Sequence, residues 1–272
     1  MPFTEYAQFA NHTATLPDIA LRLREILDDP ATDAQAIGHL IGIDPALSAK
    51  VLRLANSALF RFPAQIDNIA RAVNVVGGEA IYMLVMAETA KKLQSQFTTD
   101  LVNPRTHWYK SILTGVLAQR LAKPHIRGSE RFFVLGLLYH LGEMVTALRD
   151  PEKYSQYIND TRALSPWRKQ LHAFGFDFAL LSGAIYQQWQ LPIQLYAPLM
   201  DTHDNAMAHK PLEERLLLQA NGIVWLLGEQ DLCEQAYITY REELKITIEY
   251  KGLIALCEEA QQQAHALQAL FS

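Results

Sequence analysis

The stretch Asp44–Phe60, DPALSAKVLRLANSALF, constrains this chain more than any other. Asp44 followed by Pro45 is a helix start, because the carboxylate accepts from free backbone N–H groups and proline suits the first helical position. Leu47, Val51, Leu54 and Ala58 then recur at helical spacing and form one apolar stripe. Arg53, Asn56 and Ser57 lie three and four apart, so they share a second face. A guanidinium, an amide and a hydroxyl gathered there either tie this helix to its neighbours or receive a partner. Asp44 reads first as a cap and only second as a ligand.

The same helical period runs through the rest of the sequence. Pro17–Asp28 carries Ile19, Leu23, Ile26 and Leu27 on one side. Thr32 and Gln35 have capping-box spacing ahead of Ile37, Leu40 and Ile41. Asp67 is placed to cap a helix that stops near Gly77-Gly78, and Glu79–Leu93 reads as another helix. Gln94–Pro104 is polar and turn-rich, the expected boundary between two subdomains. Beyond it, Trp108–Leu121 is amphipathic, and Phe132–Leu141 is apolar nearly all round, as in the middle of a bundle, with Ser129 expected as its cap. Pro151, Pro166 and Pro192 mark further helix starts. Asp177 is expected to cap Phe178–Trp189, and Pro211–Leu227 and Thr247–Leu270 read as two long C-terminal helices.

Half of the 272 residues are hydrophobic, enough for a substantial core. The net charge of −5 and the lack of a Lys/Arg-rich run give no pull toward nucleic acid. Cys233 and Cys257 have neither metal-site nor disulfide-framework spacing. MPFTEYAQFANH lacks the blocks of a signal peptide, and Phe178–Met200 is interrupted by glutamines and two prolines, so no membrane span is expected. A cytoplasmic chain with reduced thiols is the simplest expectation.

The Asp44–Phe60 run, the Ile66–Ala72 segment, Val76-Gly77, Leu16-Pro17 and the Trp189–Pro192 run WQLP together resemble the HDOD family of bacterial signalling domains. The resemblance covers residues 13–210, divided into an N-terminal helical subdomain (13–100) and an HD-like helical subdomain (104–210). Residues 1–12 form a lead-in and 211–272 a C-terminal helical extension. It implies an all-α fold: an N-terminal five-helix bundle, then a degenerate relative of the HD phosphohydrolase bundle with extra C-terminal helices. Such domains usually lack hydrolase activity.

In catalytic HD enzymes, histidines and an adjacent His-Asp pair hold metals that lower the pKa of a bridging water. Matched to that pattern, the first histidine position falls on Lys110, with His107 three residues earlier. In the stretch Gly136–Gly142, GLLYHLG, Tyr139 takes the histidine position and His140 the aspartate position. Phe178 replaces a third histidine, and the later pair corresponds to Thr202-His203. A lysine ammonium offers a metal no lone pair, and two imidazoles alone make an incomplete site. No metal and no cofactor are therefore expected.

No G-x-S-x-G elbow, H-E-x-x-H helix, phosphate-binding loop or dinucleotide turn is present. The sequence points to a non-catalytic regulatory module that binds a protein partner or a small ligand. The expected place is a cleft between the subdomains, where Arg53 can pair with a carboxylate or phosphate, Asn56 and Ser57 add donors and acceptors, and Asp44 stands close by. The alternative is a metal-dependent phosphohydrolase acting on nucleotides or phosphoesters through His107, His140, His203 and nearby carboxylates. Self-association is left open.

Overall fold

The computed structural model describes residues 2–29, 31–57, 65–200, 210–229 and 232–271, and within them every regular element is a helix. The first six are α1 (Thr4–Thr13), α2 (Asp18–Asp28), α3 (Ala34–Gly42), α4 (Pro45–Ala55), α5 (Ile69–Val76) and α6 (Gly78–Gln94). Helices α2 to α6 pack on one another around Leu23, Ile41, Leu54 and Ile81. The expected lead-in is largely helical. It forms α1, which packs on the second half of the chain because Phe3 and Tyr6 sit edge-on to Phe176. Ala7 and Ala10 on the same helix are fully buried.

The second half comprises α7 (Pro104–Ala122), α8 (Glu130–Tyr139), α9 (Leu141–Arg149), α10 (Pro151–Ile158), α11 (Pro166–Phe174), α12 (Phe178–Gln188) and α13 (Ile193–Met200). Three more follow: α14 (Leu212–Glu229), α15 (Glu234–Tyr240) and α16 (Tyr250–Phe271). Helix α7 is the axis of this half, packed against α8, α14 and α16. Its crossing with α8 is close enough that a Cβ at Gly136 would fall on the backbone of Gly115. Arg131–Arg149, a stretch long and apolar enough to span a membrane, runs through α8 and α9 and is mostly buried in the bundle. Cys233 and Cys257 are both free thiols.

Three expected caps differ. Asp33, not Thr32, caps α3, accepting from Ala36 N at 2.8 Å. Asn68, not Asp67, caps α5, accepting from Arg71 N at 2.7 Å, while Asp67 pairs with the Arg71 guanidinium one turn on. In both places two adjacent polar residues compete, and the one immediately before the first helical residue wins. Ser129 stands at the start of α8 without capping it, because its backbone is already helical (φ −61°, ψ −13°) where a capping side chain needs extended geometry. Asp177 does cap α12, accepting from Leu180 N at 2.8 Å.

Candidate functional site

The positions at which the HD pattern places ligands converge where α8 breaks into α9. His140 sits at the break with φ −97° and ψ 4°. Ser182 of α12 holds this junction: its Oγ accepts from Gly142 N at 2.8 Å and lies 2.9 Å from the Tyr139 carbonyl. The close approach requires glycine, since a Cβ at Gly142 would overlap the Phe178 carbonyl.

Each imidazole is committed to a neighbour. Thr114 donates its hydroxyl hydrogen to the Lys110 carbonyl at 2.8 Å, so its oxygen accepts from His140 Nε2, 2.9 Å away. The proton of His140 is thereby fixed on Nε2. Burial, followed by the Lys110 and His107 charges, pushes His140 well below the usual imidazole range, so it is neutral at pH 7. His107 donates from Nε2 to the His140 carbonyl at 3.1 Å, and its Nδ1 faces Gln94 Oε1 at 3.2 Å. Gln94 is oriented by its own donations to Ser111 Oγ and the Leu137 carbonyl, both at 3.1 Å.

Glu143, one turn into α9, is the charge at the centre. It receives Lys110 Nζ at 3.2 Å and the Tyr154 hydroxyl at 3.0 Å, with His107 Nε2 at 3.6 Å. Burial pushes this carboxyl up. The Lys110 ammonium and the His107 hydrogen bond outweigh it and hold Glu143 well below the usual carboxylate range. Tyr139 is buried, its phenol pushed well above its usual range by burial and by Asp177. Phe178 packs between Tyr154, Tyr157 and Phe174. Lys110, Tyr139, His140, Glu143, Phe178 and Trp225 face a cavity of about 480 Å³. Four of the five expected positions thus come together; the fifth, His203, lies outside the described residues.

A metal needs several lone pairs directed at one point. Here Tyr139 is a protonated phenol, Phe178 has no donor atom and Lys110 places a cation on the carboxylate. Among the described residues no three His, Cys, Asp or Glu side chains converge as a metal group. This donor set does not fit the metal centre of the HD enzymes.

The polar face of α4 lies apart from that cavity. Asp44 accepts from Leu47 N at 3.0 Å as the cap of α4. Asn56 ends the helix and clips it to the chain returning into α5. Its Nδ2 donates to the Leu52 and Ile66 carbonyls, both at 2.8 Å, and its Oδ1 accepts from Ile66 N at 2.9 Å. The Ser57 hydroxyl is shielded from solvent and has no hydrogen-bond partner among the described residues. Arg53 is exposed. Sequence reasoning missed Glu143, Thr114, Gln94 and Tyr154. Glu143 lies one helical turn from His140, a spacing that places both on one face; the pairing with Lys110, 33 residues away, leaves no local trace.

A model of the HDOD domain family matches residues 13–205. The chain belongs to the HDOD family. No curated protein matches it in sequence. Among solved structures, a protein named "Putative phosphohydrolase" from Shewanella amazonensis superimposes with a TM-score of 0.73 at 19% identity, covering 99% of this chain and 98% of that one. An HDOD domain protein of unknown function from Geobacter sulfurreducens gives 0.67 at 20% identity, covering 98% of each. A protein named "Putative signal transduction protein" from Marinobacter aquaeolei gives 0.64 at 16% identity, over 96% of this chain and 60% of that one. At these identities the likeness is one of fold. In this HDOD chain the all-α fold therefore stands on the family match, the structural neighbours and the helices themselves.

Proposed function

We propose that this HDOD chain is a non-catalytic regulatory module of bacterial signal transduction, acting in the cytoplasm by binding a protein partner or a small ligand. The observation that carries the reading is the Lys110–Glu143 pair. An ammonium tethered at 3.2 Å occupies the carboxylate that a metal would need, and it repels any cation brought to the same point. The names of two structural neighbours divide between signal transduction and phosphohydrolase chemistry. Fold alone does not choose between them, whereas the ion pair favours the first.

Arg53 is the proposed contact for an acidic group of the partner, because it is exposed and makes no ion pair among the described residues. Asn56 and Asp44 support that surface from within, through the clip and the cap. The deciding experiment is elemental analysis of the purified protein after exposure to manganese, iron and zinc. Less than about a tenth of an equivalent of each is expected. A full equivalent that disappears in His140→Ala would overturn the reading in favour of the phosphohydrolase.

A further inference from the structure

A second cavity, of about 580 Å³, lies where α6, α7 and α16 meet. It shares no lining residue with the cavity at Lys110. Its wall is divided by chemistry. Pro104, Trp108 and Met144 give one apolar side, and Lys91 and Arg105 bring two cations. No carboxylate is among its lining residues, and neither Lys91 nor Arg105 is in an ion pair among the described residues.

The positive charge extends beyond the cavity wall. Burial disfavours the Lys91 ammonium; the Glu88 charge offsets part of that, and Lys50 and Arg53 on α4 add smaller unfavourable contributions. Glu88 is the carboxylate that opposes them, but Lys50 already holds it at 3.0 Å. A cationic focus of this kind runs against the net charge of −5 carried by the whole chain. A partly buried ammonium whose nearby carboxylate is shared with a second lysine is costly, and the exposed Arg105 adds a further cation on the same cavity wall. An anion seated against them removes that cost through charge-assisted hydrogen bonds. The volume also falls in the range of small-molecule sites, roughly 300–1,000 Å³.

We propose that this cavity binds an amphiphilic organic anion, its phosphate or carboxylate held by Lys91 and Arg105 and its apolar body against Trp108 and Met144. The cavity is distinct from the one at Lys110, with His107 and Gln94 forming part of the wall between them, and the proposal stands whether or not that other cavity takes a ligand.

The test is calorimetric titration of the full chain, at low salt, with naphthyl phosphate and with naphthoate; naphthol and inorganic phosphate serve as the half-molecules. At least one of the two amphiphilic anions should bind saturably, and the tighter of them identifies the head group. Each half-molecule should bind at least about tenfold more weakly. Lys91→Gln and Arg105→Gln should each raise the Kd about tenfold. Both variants should keep the wild-type thermal midpoint, since each removes a cation that lacks an ion pair. Three results would overturn the site: no saturable binding of either anion, equal binding of naphthol, or a Kd unchanged in both variants. The last would place the probe elsewhere in the protein.

Discussion

Glu143→Gln removes the central charge while keeping its shape, and so isolates what the ion pair contributes. The side chain is 14% exposed and receives Lys110 at 3.2 Å and Tyr154 at 3.0 Å, with His107 Nε2 3.6 Å away. An amide forms weaker bonds to these donors, and its own NH2 group confronts one of them. The Lys110 side chain is 38% exposed, so water screens part of the loss on that side. After that discount the expected destabilisation at neutral pH is about 2 kcal/mol. For a chain of this size that lowers Tm by about 4–8 °C. The pH dependence carries a sign. The folded carboxyl is held below its unfolded value, so the unfolded chain takes up the proton first as pH falls. The contribution of Glu143 is complete above the unfolded carboxyl pKa and is lost as pH falls through the folded one. Thermal and urea denaturation of both proteins, followed by circular dichroism, should show a gap constant from about pH 8 to about pH 6 that narrows below about pH 4. The other carboxylates are common to both proteins and cancel in the difference. Equal Tm values at neutral pH, or a gap that does not narrow on acidification, would refute the ion pair as the reason Glu143 is tolerated there.

Asn56→Ala deprives the Ile66 N–H and two carbonyls of their partners; a loss of about 2 kcal/mol in urea denaturation is expected, with faster hydrogen exchange at the Ile66 amide. Gly136→Ala drives a methyl into the backbone of Gly115, where neither helix has a flexible side chain to move. Its cost should exceed about 3 kcal/mol and show as lost soluble protein or a collapsed thermal midpoint. Asp44→Ala removes only a cap, so it should cost about 1 kcal/mol and leave the metal content unchanged.

The sequence made the helices legible because their apolar periods are strong and their starts are marked by proline or Asp. Pro45, Pro151 and Pro166 all stand in the first turn of a helix, whereas α7 begins at Pro104, inside the segment read as a boundary. The caps of α3 and α5 were less legible, since Thr32-Asp33 and Asp67-Asn68 offer adjacent oxygens and spacing alone does not rank them. The family pattern located Lys110, Tyr139, His140 and Phe178, and the structure gathers these four around one cavity. The contacts that these replacements make with one another were not legible. The partners of Lys110 and His140 are set by how α7 crosses α8 and α9, and that crossing depends on glycines whose role appears only once the helices are assembled.

On the proposed non-catalytic reading, the ion pair also explains how such a site can lose metal ligands and keep its architecture. A metal held by side chains from several helices is a cross-link as well as a reagent, and removing ligands one at a time would leave the others buried and unpaired. In this chain the same helices are tied by other means. Lys110 of α7 reaches Glu143 of α9, which also receives Tyr154 of α10. His107 of α7 holds the His140 carbonyl at the α8–α9 break, and Thr114 satisfies the His140 ring. The ammonium at 110 acts as a tethered cation, supplying the positive charge a buried carboxylate requires without offering a surface that polarises water. On the proposed non-catalytic reading, fold and cavity are separated from hydrolytic chemistry, and the cavity wall at Lys110 is free to be selected for what it binds.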